Sequence, residues 1–476
     1  MSYETVIGLE VHVELNTKTK AFCGCSTNFG AQPNTQTCPV CLGLPGSLPV
    51  LNKDALRLAI KVSISLNAQV AKKIRFDRKN YFYPDLPKDY QISQFNQPLA
   101  QHGNLPILIN GKERCVKIRK VHLEEDTGKL LHQERSSLID FNRSGIPLLE
   151  IVSEPDMNSP DEAYEYLTAL KSILEYIDVS DCNMEEGSLR CDANISMRKQ
   201  GSKELGVKAE IKNMNSFKAV KAALQYERGR QIDLLRDGKK IIQETRLFNS
   251  KAAITESMRS KEEAHDYRYF LEPDLVPFDF EDSFLNDIEK GIPELPEPRK
   301  KRFIKDYGLT DYDAKVLVSD KKTADYFEES ASLYKKPKIV ANWLMGDIAA
   351  YMKEKNLTIN ELDLKIEHLA GMLGMIDQGL ISGKIAKTLL IEIIETKKPP
   401  GLLVKEKGLE QISDEGAIEK AVEEVITENQ KSVNDFKGGK ENAIIFLVGK
   451  VMQKTKGKAN PKKVNVILKE KLKGGA

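Results

Sequence analysis

No apolar run in this 476-residue chain approaches the roughly 20 residues needed to cross a membrane. The N-terminus, MSYETVIGLE, lacks a basic segment followed by an apolar one. Neither a leader nor an anchor is expected, and the predicted compartment is the cytoplasm. Two common phosphate-cradling loops are also missing, since the chain contains no G-x4-G-K-[ST] and no G-x-G-x-x-G. No cysteine–histidine or serine–lysine arrangement reads as an amidase nucleophile. If a nitrogen is transferred, another chain should liberate it.

An overall excess of one charge is absent as well: 72 basic residues stand against 70 acidic ones. With 41% hydrophobic and 30% charged residues, the composition is that of a soluble globular protein. A chain of this length should divide into roughly two to four domains. Cysteine is scarce, but four of the seven are bunched as Cys23, Cys25, Cys38 and Cys41, in the pattern C-x-C-x12-C-x2-C. In a reducing compartment such a cluster reads as metal-binding rather than as disulfides. Thiolates at these spacings can surround tetrahedral zinc, the bland alternative being four reduced thiols. A closed four-thiolate site leaves no open coordination position, so its expected role is structural.

What the sequence does contain begins at residues 7 to 15, IGLEVHVEL. Ile7, Leu9, Val11, Val13 and Leu15 form one row, and Glu10, His12 and Glu14 form the other. On a β-strand the second row stands on one face, with neighbours about 7 Å apart. A single strand of this kind could simply face water. The pattern returns, however. VHLEEDTGK (121–129) puts His122, Glu124 and Asp126 on one face and Glu125 on the other. LRCDANISM (189–197) alternates Arg190, Asp192, Asn194 and Ser196 against apolar residues, and VKAEIKNMNS (207–216) sets Lys208, Glu210 and Lys212 against Val207, Ala209 and Ile211. Four such strands would build one sheet whose polar face concentrates carboxylates. Clustered carboxylates repel one another, and lysine or arginine neighbours or divalent cations relieve that repulsion. Oxygen ligands with one imidazole suit Mg2+ or Mn2+, and Mg2+ beside Lys and Arg is what phosphoryl transfer requires. A merely solvated face is the competing reading.

Two further stretches have an unusual composition. FDRKNYFYPDLPKDYQISQFNQPL (76–99) interleaves Arg78, Lys79 and Lys88 with Tyr81, Phe82, Tyr83 and Tyr90. Cations among aromatics can grip phosphate and stack a base. DFNRSGIPLLEIVSEPD (140–156) brings together Asn142, Arg143, Gly145, Glu150 and Glu154, and Gly145 would let a backbone approach a ligand closely. Either stretch alone could be a polar loop.

The first 290 or so residues read as strands and turns with two helices. One is capped by Ser159 with Pro160 at its first position, and the other runs from about Ser216 to Arg236 with Gly238 as its stop. GIPELPEPRKKR, at 291–302, looks like a linker. Helical periodicity then dominates until KKPPGLLV (397–404), after which a short third unit follows. Residues 431–476 carry twelve lysines and three acids, a net of +9. Lys454, Lys456, Lys458, Lys462 and Lys463 are candidate contacts to a nucleic-acid backbone. A solvated helix surface is the alternative.

Taken in order, IGLEVHVEL, the cysteine cluster, KNYFYPDLPKDYQISQFNQPL, HLEEDTGK, DFNRSGIPLLEIVSEPD, LRCDANIS and EIKNMNSF resemble the GatB family, the B subunits of the aspartyl/glutamyl-tRNA(Asn/Gln) amidotransferases. The ending GKANPKKVNVILKEKL is similar to the tail module of that family, so the likeness runs from about residue 3 to 473. The resemblance implies an α+β fold. Residues 1–294 would be a mostly antiparallel-sheet cradle of the glutamine synthetase/guanido kinase type, with a zinc-binding insert at 23–41. A helical domain (295–404) and a basic helical tail that binds tRNA (405–476) would follow. It implies a ligase working in a heterotrimer with an amidase partner, GatA, and a small partner, GatC. In that family the side-chain carboxylate of Glu or Asp misacylated onto tRNA(Gln) or tRNA(Asn) is phosphorylated with ATP and Mg2+. Ammonia released from glutamine by GatA then arrives through a channel.

Carried over by position, Glu10, His12, Glu124, Glu125, Glu150, Asp192 and Glu210 are the expected Mg2+ residues. Glu10, His12, Glu125 and Lys79 are the expected catalytic groups, and Arg190, Lys88, Tyr81 and Arg143 the expected cofactor contacts. Alternation sets Glu125 opposite Glu124, so only one of the two should face the metal unless the strand bulges. Lys79 and Lys88 could instead line the ammonia path. The cysteines match the zinc-binding members, and not every member carries them. Two other readings stay open: a non-catalytic tRNA-binding scaffold, and a free-standing ATP-dependent ammonia ligase, against which the lysine-rich tail speaks.

Overall fold

Alternating side chains build the first part of the chain and helical periodicity the second. The computed structural model describes residues 2–260, 266–409, 415–455, 459 and 461–473. The chain divides into two compact units, Met1–Pro296 and Glu297–Ala476.

Among the described residues of the first unit nine strands form one sheet. Its centre consists of Tyr3–Glu14 (β1), Lys112–Glu125 (β2), Pro147–Ser153 (β3), Leu189–Lys199 (β4) and Ala209–Lys212 (β5), in the spatial order β5-β4-β1-β3-β2. Ala100–Ile109 and Gln69–Val70 extend it beyond β2, and Glu244–Asn249 and Ile254–Ser260 extend it beyond β5. Neighbours are antiparallel except β5 and Glu244–Asn249. The four acid-bearing strands expected from the sequence do share one sheet, with β3 inserted between β1 and β2. That insertion departs from the sequence reading, in which 140–156 could be a polar loop. The strand PLLEIVS is largely buried on both faces and therefore lacks clean alternation.

Ile7, Leu9, Val11 and Val13 of β1 are buried in one core with Leu123, Leu149, Ile151 and Ala193. Helices Pro160–Tyr176 and Phe217–Arg236 supply Leu167, Leu170, Val220 and Leu224 to it. Both start where a serine accepts a backbone N–H: Ser159 from Glu162 at 3.2 Å and Ser216 from Ala219 at 3.1 Å. Two more helices, Lys53–Ser65 and Asp282–Lys290, were not anticipated; the first is capped by Asn52. Within 76–99, Asp77–Asn80 and Tyr90–Ser93 pair as antiparallel strands, so this stretch too is more ordered than a loop.

At the boundary of the two units Pro296 and Pro298 lie in the first turn of helix Pro296–Tyr307, where a missing N–H costs nothing. The connector is thus shorter than its proline count suggested. One hydrophobic cluster gathers Phe303, Leu317, Phe327, Leu369, Leu389 and Leu403, and a separate one gathers Ile418, Val422, Leu447, Val451, Val464 and Leu468.

Candidate active site

The polar row of β1 is the middle of a wider polar face. In the antiparallel register His12 stands opposite Arg190 on β4 and Glu150 on β3, Glu10 opposite Asp192, and Glu150 opposite His122 on β2. Ligand atoms of Glu10, His12 and Glu150 all lie within 4.8 Å of one another. His12 Nε2 is 3.6 Å from Glu124 Oε1 and 3.9 Å from Glu10 Oε1. Glu124 in turn accepts from Ser93 Oγ at 2.8 Å, and His122 Nδ1 lies 2.9 Å from Glu150 Oε2.

Electrostatics makes this cluster short of positive charge. Burial, reinforced by the Glu150 carboxylate, pushes Glu10 up to about 8, and burial with Glu150 pushes Glu124 up to about 7. Against the cost of burial, the hydrogen bond from His122 holds Glu150 well below the usual carboxylate range. Burial pulls both His12 and His122 down, so both imidazoles are neutral near pH 7. With Glu150 anionic, His122 donates from Nδ1, and His12 keeps a lone pair to offer. Donor atoms of an octahedral ion bound at about 2.1 Å sit about 3.0 Å apart when adjacent and about 4.2 Å apart when opposite, so these three side chains are a suitable donor set for Mg2+ or Mn2+ and would draw together by roughly an ångström to hold it. A divalent cation would displace the proton that Glu10 otherwise keeps.

The remaining expected residues are distributed more widely. Asp192 and Glu210 flank the cluster, but Lys212 ion-pairs with both, and Glu210 also accepts from Thr245 Oγ1 at 2.8 Å. Arg190 is held by Asp126 at 2.7 Å, and Arg143 donates to the carbonyls of Thr127 and Gly128 at 3.0 and 2.8 Å. Arg143 is therefore a turn clasp. Lys79 Nζ sits 4.8 Å over the Tyr267 ring and 5.6 Å over that of Tyr81, whose hydroxyl lies 3.4 Å from Gln91 Oε1. Glu125 does not join the cluster. Its carboxylate accepts from Lys88 and from the Ile92 N–H at 2.9 Å, because alternation along β2 turns His122 and Glu124 one way and Glu125 the other. Lys88 is likewise committed to Glu125. Sequence reasoning assigned no role to His122 as partner of Glu150 or to Asp126 as anchor of Arg190. Their place in the polar row of β2 was the available signal.

The four cysteines come together. Their sulfurs form a group within 4.8 Å, with Cys38 and Cys41 Sγ 3.9 Å apart. Sulfurs bound tetrahedrally at about 2.3 Å are about 3.8 Å apart, so the donor set fits zinc. The hydrogen bond between Cys23 and Cys41 lowers Cys41 to about 5 and raises Cys23, and burial raises Cys25 to about 11, so without a cation one thiolate is held among thiols and an ion would displace the remaining protons.

In the tail, Lys454 pairs with Glu424 and Glu428 at 2.8 and 2.6 Å. Lys463 is exposed on helix Pro461–Lys473, which also carries Lys462, while Lys456 and Lys458 lie outside the described residues. No described helix is long and apolar enough to cross a membrane.

Comparison with known proteins first defines a class. Residues 5–286 match the family described as GatB/GatE catalytic domain, and residues 325–472 match the GatB domain. Full-length relatives then narrow it. The aspartyl/glutamyl-tRNA(Asn/Gln) amidotransferase B subunit of Thermoanaerobacter sp. (strain X514) is 56% identical over 99% of this chain and 100% of its own length. Those of Brevibacillus brevis and Geotalea daltonii are each 51% identical, over 99% of both chains and 100% of both chains respectively. This chain belongs to the GatB family, whose members are subunits of a ligase-type amidotransferase.

Proposed function

We propose that this chain uses ATP to phosphorylate the side-chain carboxylate of Glu or Asp misacylated onto tRNA(Gln) or tRNA(Asn), and passes the acyl group to ammonia. A carboxylate is a poor acyl donor because its leaving group would be oxide. Transfer of a phosphoryl group gives an acyl phosphate, and ammonia then forms the amide as phosphate departs. The observation that carries this reading is the convergence of Glu10, His12 and Glu150, with Glu124 beside His12, in a chain of this family.

Glu10, His12 and Glu150 would hold Mg2+, with Glu124 close by. Bound there, the ion would neutralise charge on the transferring phosphoryl group. The chain's own residues do the rest. His122 orients Glu150, Asp126 fixes Arg190 at the rim as a cation for phosphate, and Lys212 neutralises Asp192 and Glu210, so that repulsion does not spread the face. The absence of an amidase nucleophile fits an ammonia supply from a glutaminase partner, the role that the family resemblance gives to GatA, with GatC completing the heterotrimer. The basic tail is assigned to tRNA.

Reconstitution with GatA and GatC tests the reading. The complex should hydrolyse ATP only when misacylated tRNA is present, and should form Gln- or Asn-tRNA with glutamine or with ammonium. A complex that binds tRNA and hydrolyses no ATP would make the chain a scaffold.

A further inference from the structure

Two lysines join the cysteine knuckle to Glu125 of β2 and to the turn that carries Gly145. Lys20 is fully buried. Its Nζ lies 3.7 Å from Cys41 Sγ and donates to Phe141 O at 3.2 Å. Its stem runs beneath Gly145, where an added Cβ would lie 3.4 Å from Lys20 Cδ, 3.5 Å from Cys41 Cβ and 3.8 Å from Glu125 Oε2. Gly145 is tied on both sides, accepting from Ala21 N at 2.8 Å and donating to Asp126 O at 2.9 Å. On the other flank Gly43, two residues past Cys41, presses on Lys88. Its φ is +68°, and an added Cβ would fall 2.4 Å from Lys88 Cγ. Lys88 holds Glu125, and its side chain is only 6% exposed. The knuckle is also stitched to the 139–142 turn: Asn34 Nδ2 donates to Ile139 O at 3.0 Å and Gln36 N to Asn142 Oδ1 at 2.8 Å.

A zinc ion with four thiolates carries a net charge of about −2. A buried ammonium against one sulfur offsets part of that charge and would be costly without it. The knuckle is therefore more than a fold staple at a distance. We propose that the four-cysteine site is a clamp that positions the Lys88–Glu125 pair at the end of β2, one residue past Glu124, with Gly43 as its contact on Lys88 and Lys20 as the cation joining the thiolates to the Gly145 turn. Lys20 and Gly43 are positioning residues. They touch neither the cluster nor any reacting atom.

The test is lysine acetylation read by mass spectrometry on the assembled enzyme, with zinc bound and after its removal by a chelator. Zinc removal should raise the Lys88 rate about tenfold relative to exposed Lys72, and restoring zinc should reverse the change. Lys212, held in its own ion pairs, should stay constant. Gly43→Ala should free Lys88 while zinc content is unchanged. Lys20→Met should weaken zinc about tenfold, with Lys88 following zinc occupancy. A Lys88 rate indifferent to zinc and to Gly43→Ala overturns the clamp. So does a parallel rise at Lys212, which would mean that the whole unit opens. Ammonium-supported amidation should fall in the samples where Lys88 is released, and this arm alone rests on the proposed function. A wild type that never amidates defeats that function and leaves the labelling result to decide the clamp.

Discussion

His122 lies 2.9 Å from Glu150 and is almost wholly buried, so it fixes the orientation of one carboxylate in the cluster. His122→Ala should weaken Mn2+ or Mg2+ binding about ten- to a hundredfold by calorimetry, as loss of a ligand's hydrogen-bond partner does elsewhere; unchanged affinity would remove that role. Glu10→Gln and His12→Ala should abolish amidation even with ammonium supplied, while tRNA binding survives. Retained ammonium-dependent activity would sink the metal-site assignment. The same residues set a pH dependence. Burial raises Glu10 to about 8, Glu14 to about 8 and Glu124 to about 7, so the folded state holds protons that the unfolded state releases near 4.5. Their contribution to stability is complete below about pH 4.5 and is lost progressively from there, ending near pH 7 for Glu124 and near pH 8 for Glu10 and Glu14. His12 and His122 are lowered, and their effect is finished once pH passes the ordinary histidine value of 6.5. Between pH 7 and 9 the melting temperature in chelator should therefore fall. Added Mg2+ should restore more of it at pH 9 than at pH 7, where protons compete for the site.

At the scale of elements, alternation was legible wherever one face of a strand is buried and the other polar. β1 and β4 show it plainly, and so do the even residues of β2 up to Glu124. It failed at β3, which is largely buried on both faces, and it left Glu124 and Glu125 both eligible for one site. The side chains resolve that ambiguity. Glu124 turns to His12, and Glu125 turns to Lys88 and the Ile92 N–H. Glu125→Ala would leave Lys88 buried without its counter-charge, which costs about 3–5 kcal/mol where a buried pair is broken. Urea unfolding should show a loss of that order with divalent-ion affinity near wild type. Loss of metal binding at wild-type stability would put Glu125 back among the ligands.

At the scale of the whole molecule, the two units carry different chemistry: a carboxylate cluster in the first and surplus lysine at the end of the second. Deleting residues 410–476 should weaken tRNA affinity and flatten its dependence on salt, because fewer phosphates are neutralised, while divalent binding by the first unit is spared. Unchanged affinity would count against the tail assignment. Part of that surplus is already spoken for, since Lys454 and Lys471 pair with acids of helix Glu415–Glu428. The sequence by itself determined which residue types lie on which face, where the serine-capped helices start, and that four thiols sit close enough along the chain to share an ion. These are local consequences of period and spacing. Only the tertiary structure decided which carboxylates meet, that Lys212 claims Asp192 and Glu210, and that Lys20 and Lys88 join the cysteine knuckle to the Gly145 turn and to Glu125. Those pairings depend on strand order and register between segments as much as a hundred or more residues apart, and no local pattern encodes them.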